Sequence, residues 1–266
     1  MKSEPSRVIR FDAPRGRPLG VTPVYKVVGF FLKPLLNVIV KKDWRRGELI
    51  PRSGGAIVVC NHISYLDPLT FTHFLYNQGR APRYLGKKAI FDTPIVGWVV
   101  KAAGQIPVER ESQGASKAFE VAIAALRAGH LLGIYPEGTL TRDENLWPMT
   151  GKTGAARLAL MTGVPVIPCA SWGPQEVIPR YGKRIKLFPR TRVSILAGEP
   201  VDLSPWRGRE SDPVALEEAT EAIMSRMTEL LSELRGEEPP AVRFDAKKSD
   251  LPRTGNFIKE RRKRTS

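Results

Sequence analysis

The sequence predicts a single α/β domain: a mixed, mostly parallel sheet flanked by helices, preceded by an N-terminal helical segment lying at a membrane interface. Three observations carry this expectation. Short apolar runs alternate with helical periodicity from Gly54 to about residue 235, the pattern of a sheet covered on both faces. The 266 residues, 42% of them hydrophobic, suffice for one sizeable core, and no internal repeat divides them. The charge is also unevenly placed. Residues 1–47 carry 11 Lys and Arg against 3 Asp and Glu, residues 243–266 carry 9 against 3, and the middle holds 22 against 21.

The formal charge of +15 therefore sits at the two ends. Basic ends bind nucleic acid or an anionic membrane surface, or serve as solvated tails. A nearly neutral centre without a recognisable binding module argues against nucleic acid, so an anionic membrane surface is the expected partner. The chain divides on this basis into a basic arm with an interfacial segment (1–47), the α/β domain (48–236) and a basic tail (237–266). The run Lys259-Glu260-Arg261-Arg262-Lys263-Arg264 dominates the tail.

Residues 1–20, rich in Arg, Pro and Gly, lack the apolar stretch of a signal peptide and read as a flexible arm. Residues 21–42 are densely apolar but interrupted by Lys26, Lys33, Pro34 and Asn37. No uncharged run approaches the ~18 residues of a membrane span. Pro34 predicts a kinked or two-part helix. Its lysine flanks, followed by Trp44-Arg45-Arg46, suit a peripheral or monotopic helix on the cytoplasmic side of the cell membrane; packing on the protein's own core is the alternative.

Ala56 to Cys60 is a β-branched apolar run and reads as a buried strand. A helix follows over 67–78, a short strand over 82–86, an apolar helix over 94–103 and a strand over Gln105–Val108. Residues 114–128 form a helix with Ala118, Val121, Ala122, Ala125 and Leu126 on one side. Further strands are His130–Tyr135, Val164–Ala170 and Arg192–Leu196. Helices over 152–162, closed by Gly163, and over about 213–235 complete the pattern. Cys60 and Cys169 lie in apolar runs and read as buried thiols in a reducing setting. Neither His73 nor His130 attracts a role, and no ligand spacing suggests a metal.

The chemistry concentrates in Asn61-His62-Ile63-Ser64-Tyr65-Leu66-Asp67-Pro68, directly after a strand, where α/β sheets gather their ligands. Histidine is the usual general base near neutral pH, and a carboxylate on its second nitrogen fixes the tautomer. On one straight helix His62 and Asp67 would point about 140° apart. They meet only where a loop enters a helix, and Pro68 supplies that entry. The same residues also read as a simple N-cap at Asp67, or a capping box of Ser64 and Asp67, with a structural His62.

Four motifs in order then resemble the glycerolipid acyltransferases, the family of the 1-acylglycerol-3-phosphate acyltransferases. Asn61-His62-x-Ser64-x-x-Asp67 is similar to the first, and Gly104-Gln105-Ile106-Pro107-Val108-Glu109-Arg110 to the second. Tyr135-Pro136-Glu137-Gly138-Thr139 resembles the third, and Val166-Ile167-Pro168-Cys169-Ala170 the fourth. The resemblance covers roughly residues 24–200. It implies an enzyme that moves an acyl group from acyl-CoA or acyl-carrier protein to a glycerol-phosphate acceptor or lysophospholipid, forming phosphatidic acid in phospholipid biosynthesis. It requires no cofactor beyond the thioester co-substrate.

In the implied scheme His62 is the base and Asp67 orients it. Arg110 fits phosphate, which a guanidinium binds through a two-pronged fork; an ion pair with Glu109 or Glu111 is the alternative. Glu137, Gly138 and Thr139 are expected at the acceptor, or form a simple turn. The family often places arginine directly after Gly-Thr; here Leu140 stands there, and Arg142 two residues on is the substitute candidate. Lys152, at a predicted helix start, and Arg157 are further phosphate candidates. Trp147 and Trp172 are expected in loops, against lipid or packed.

Overall fold

The computed structural model of the protein describes residues 20–108, 112–182, 184–246, 248, 249 and 256. Helix α1 (Pro23–Ile39) runs directly into β1 (Val40–Arg45), and β2 (Ala56–Cys60) leads to α2 (Asp67–Asn77). Strand β3 (Arg83–Lys87), the short α3 (Lys88–Phe91), α4 (Pro94–Ala102) and β4 (Ile106–Val108) follow, then α5 (Ser112–Arg127) and β5 (Leu131–Ile134). Next come α6 (Gly154–Thr162), β6 (Val166–Trp172), the one-turn α7 (Pro174–Val177), β7 (Thr191–Ala197) and α8 (Pro213–Arg235).

The seven strands form one sheet in the order β1-β7-β6-β2-β5-β3-β4. Every neighbouring pair is parallel except β6 with β7. Strands β2 to β6 therefore all end on the same edge of the sheet. The period-2 alternation of β2 divides the core. Ile57 and Val59 face α5, α6 and α8, with Ala122, Leu126, Leu158 and Ile223. Ala56, Val58 and Cys60 face α2, with Phe71, Phe74 and Leu75. A strand buried on both faces has to be apolar throughout, which is why Ala-Ile-Val-Val-Cys carries no polar residue.

Helix ends follow local chemistry. The Asp212 side chain accepts hydrogen bonds from Val214 N at 2.9 Å and Ala215 N at 3.4 Å, capping α8. Gly163 closes α6 at φ +70°, a backbone region that disfavours a side chain.

Four features differ from the sequence expectation. Residues 40–45, grouped there with the N-terminal segment, form an edge strand paired in register with β7. Pro34 does not divide α1; Leu32, Leu36 and Ile39 hold that helix against Leu66, Val177 and Ile178, and packing outweighs the lost backbone bond. Val121, at the margin of its stripe, is exposed on α5. The chain after α8 returns to the body, where Thr150 N donates to Phe244 O at 2.9 Å and Arg243 pairs with Glu221. The basic run 259–264 lies outside the described residues.

Buried Arg80, which the sequence did not single out, ties together the opposite edge of the sheet. Its guanidinium donates to Pro51 O at 2.6 Å, Gly54 O at 2.7 Å and Gly129 O at 2.9 Å. Three loop carbonyls that enter or precede β2 and β5 are satisfied by one side chain.

Candidate active site

Strands β2 and β5 are neighbours, so the loops after Cys60 and Ile134 emerge side by side. The first residue out of β2 is clamped. Asn61 Oδ1 accepts from Ser171 N at 2.8 Å, and its Nδ2 donates to Ser171 O at 3.0 Å. The side-chain amide thus prolongs the β2–β6 ladder by one step. That pairing aims the next residue, His62, out of the sheet.

His62 Nδ1 lies 2.9 Å from Asp67 Oδ2. The same oxygen accepts from Ile63 N at 2.6 Å and Ser64 N at 2.8 Å. The loop therefore wraps the carboxylate at the first residue of α2, the loop-to-helix entry that the spacing requires. Ser64 Oγ secures the turn by donating to Ile178 O at 2.7 Å and accepting from Leu66 N at 3.1 Å. The Asp67 side chain is 0% exposed, whereas that of His62 is 16% exposed. With the carboxylate on Nδ1, the imidazole carries its hydrogen there and presents Nε2 as the accepting nitrogen. The ring stacks on Tyr135 at 4.3 Å between centroids.

Both backbone groups of His62 are tied to the β5 loop. Glu137 Oε1 accepts from His62 N at 3.0 Å, and Thr141 N donates to His62 O at 2.7 Å. The other Glu137 oxygen accepts from Met149 N at 3.2 Å. Burial pushes the Glu137 carboxyl up to about 8, against the opposing effect of these hydrogen bonds. Gly138, at φ +70°, makes the turn that follows, and a Cβ there would meet the Lys152 ammonium at 2.9 Å.

His62 borders an apolar cavity of about 1030 Å³. Gly138, Thr139, Leu140 and Lys152 share its wall with Tyr181. The lining also includes Tyr84, Val108, Phe119 and Leu158, with residues of α1 and α4. Glu137 and Arg142 are buried behind this wall and do not line the cavity. Trp147 and Trp172 pack on the guanidinium of Arg235, at 4.1 and 4.3 Å, and do not line the cavity; Trp172 ends β6 rather than lying in a loop. Arg157 lies over the Phe119 ring at 5.2 Å. Arg110 falls outside the described residues; β4 ends two residues before it, on the same sheet edge as β2 and β5. The Asn61 clamp and the Tyr135 ring under His62 were not anticipated. An amide immediately beyond a buried strand is the signal that could have found the first; nothing local points to the second.

The comparisons match this architecture. The Acyltransferase family model matches residues 43–172, from β1 through β6. The 1-acyl-sn-glycerol-3-phosphate acyltransferase of Bacillus subtilis is 28% identical over 214 residues, which are 79% of this chain and 98% of that protein. The chain is an acyltransferase, similar to the 1-acyl-sn-glycerol-3-phosphate acyltransferases. The acyltransferase is similar also to the 1-acyl-sn-glycerol-3-phosphate acyltransferase of Borreliella burgdorferi, at 35% identity over 122 residues, 46% of this chain and 47% of that one. A chloroplastic relative from Brassica napus is 30% identical over 168 residues, covering 61% of this chain and 47% of its own. The chain thus spans about half the length of these two. In fold, it resembles the crystal structure of the 1-acyl-sn-glycerophosphate acyltransferase from Thermotoga maritima, with a TM-score of 0.59, 24% identity and 81% of each chain covered. The acyltransferase is an enzyme of acyl transfer in lipid synthesis.

Proposed function

We propose that the acyltransferase moves a fatty acyl group from acyl-CoA or acyl-carrier protein to the free hydroxyl of 1-acylglycerol 3-phosphate, forming phosphatidic acid. The observation that carries this reading is the His62–Asp67 pair, 2.9 Å apart, on the wall of an apolar cavity of about 1030 Å³. That volume is at the upper end of ordinary ligand sites and suits long aliphatic chains. The names of the relatives support the acceptor.

In the reaction, His62 Nε2 takes the proton of the acceptor hydroxyl while Asp67 steadies the resulting imidazolium. The acceptor oxygen attacks the thioester carbonyl, the C–S bond breaks, and the departing thiolate recovers the proton from His62. Atoms and charge balance without a covalent acyl-enzyme or a cofactor. Lys152, on the cavity wall with His62, and Arg110, beyond β4, supply the cations for the acceptor phosphate. Thr139 and Gly138 border its glycerol. Glu137 and Arg142 act from behind the wall, Glu137 by holding the backbone of His62. Among the described residues no helix is long and apolar enough to cross a membrane. The enzyme instead meets its lipid through α1, lying in the cytoplasmic interface of an anionic membrane.

The test combines a variant with product analysis. His62→Ala is expected to lower turnover by roughly 10²–10⁴-fold while the circular dichroism spectrum is kept. Purified enzyme with acyl-CoA and a panel of acceptors is expected to give phosphatidic acid by mass spectrometry. Turnover within about tenfold of wild type would remove His62 as the base. Product formed on glycerol 3-phosphate or another lysophospholipid in preference would reassign the acceptor.

A further inference from the structure

Of the eighteen large apolar side chains that are exposed among the described residues, eleven lie on three neighbouring segments. On α1 the exposed set is Val27, Phe30, Phe31, Leu35 and Val38, with Phe30 75% exposed. At 100° per residue these fall within one arc of the helix. The opposite arc, with Tyr25, Leu32 and Leu36, faces the cavity and the body. Helix α4 also carries both lining and exposed apolar residues. Val99 and Val100, with Ala103 just after the helix, line the cavity, while Ile95, Val96 and Trp98 are exposed, Ile95 at 80%. The third segment is the loop before β7, where Ile185, Leu187 and Phe188 are exposed, Phe188 at 68%.

The segments are neighbours. Helix α1 touches α4, and both wall the same cavity. On its other flank, Arg190 from the loop donates to Asn37 O at 2.5 Å and Val40 O at 2.8 Å, at the end of α1. Lys186 N donates to Val177 O at 2.8 Å, in the turn against which α1 packs. A helix with apolar side chains on both its inner and outer faces is built for apolar surroundings on both sides. Apolar patches of this extent on a soluble chain mark an interaction surface.

Charge specifies the occupant. Residues 20–42, 87–101 and 184–190 carry ten Lys and Arg between them and a single acidic residue, Asp92. Exposed apolar side chains interleaved with lysines, at the mouth of a lipid-sized cavity, match the headgroup and acyl layers of an anionic membrane.

We infer that α1 is only one of three insertion points. Helix α4, through Ile95 and Trp98, and the 184–188 loop, through Phe188, enter the same anionic lipid monolayer and set the cavity mouth against it. This deepens the membrane reading above and rests on it. Two helices and a loop fix a plane, whereas α1 alone would leave the enzyme free to roll about one axis. A fixed plane lets a lysophospholipid pass from the monolayer into the cavity without crossing water.

The test uses the full chain and vesicles of phosphatidylglycerol and phosphatidylcholine. Ile95→Glu/Trp98→Glu, Phe188→Glu and Phe30→Glu/Phe31→Glu are compared with wild type by co-sedimentation, with circular dichroism as the check on folding. Each set is expected to weaken vesicle binding by at least about tenfold. Trp98→Phe is expected to reduce quenching of tryptophan fluorescence by brominated lipid. Wild-type binding by folded Ile95→Glu/Trp98→Glu and Phe188→Glu proteins, with loss only for the α1 variant, would overturn the three-point surface and leave the α1 anchor standing. Failure of wild type to bind any vesicle would overturn both. A dimer in sedimentation that the α4 variant dissociates, with vesicle binding intact, would assign the face to a second copy and overturn the proposal.

Discussion

The carboxylate of Glu137 accepts a hydrogen bond from the backbone N–H of His62 at 3.0 Å, linking the third sequence motif to the main chain of the first. Its second oxygen holds Met149 N at 3.2 Å, so the side chain bridges two loops from within the protein. Glu137→Gln keeps one acceptor oxygen but points an amide N–H₂ at the other donor. The expected cost is roughly 1–3 kcal/mol of stability, with turnover reduced through displacement of His62. Urea unfolding and steady-state kinetics on the same preparation measure both.

Glu137 also makes stability depend on pH. Its pKa is raised from 4.5 to about 8 by burial, so the folded state binds its proton more tightly than the unfolded chain does. The corresponding stability is fully present below about 4.5 and is lost as pH rises through 8. Wild type should lose stability across that window relative to Glu137→Gln, which has no proton to release. Equal slopes for the two proteins would remove the assignment.

His73 acts at the opposite end of the scale. Burial, with Lys42 and Lys33 nearby, lowers its pKa to about 4. A histidine kept neutral by the fold contributes stability that is present above its unfolded value of 6.5 and lost as pH falls toward 4. His73→Phe retains a ring against Trp44, which His73 now meets edge-on at 4.9 Å. The variant is expected to show a shallower fall in Tm between pH 7 and 4.5, measured by differential scanning fluorimetry.

Asp67 holds three N–H donors on one oxygen, including His62 Nδ1. Asp67→Asn retains the shape but removes the charge that steadies an imidazolium. With the amide oxygen kept on the backbone donors, turnover is expected to fall by about 10²-fold or more while KM changes little. A variant with near wild-type turnover would separate Asp67 from the chemistry and leave it as a helix-entry residue.

Arg80 carries no proposed catalytic role and tests the scaffold. Arg80→Met leaves the carbonyls of Pro51, Gly54 and Gly129 without their donor in a buried setting. Each such group costs roughly 1–3 kcal/mol, so a loss of several kcal/mol in urea unfolding is expected.

The sequence by itself determined six of the seven strands and the meeting of His62 with Asp67. β2 was legible at Ala56–Cys60 because a strand buried on both faces must be continuously apolar, and that signal is local. The meeting of His62 with Asp67 was legible because five residues and a proline leave one way for them to touch. Tertiary structure alone decided what depends on distant partners. Val-Lys-Lys-Asp-Trp-Arg has no strand pattern of its own and becomes β1 because β7 offers an open edge to it. Pro34 read as a kink or a break, and α1 runs through it because contacts with Leu66 and Val177 outweigh one missing backbone bond. Glu137 is a polar residue in a turn when read along the chain; the side of the loop it faces was set by the neighbouring strand, which brings the N–H of His62 to it. A pattern along the chain reports which residues can be buried, while what they are buried against is fixed only when separate segments pack.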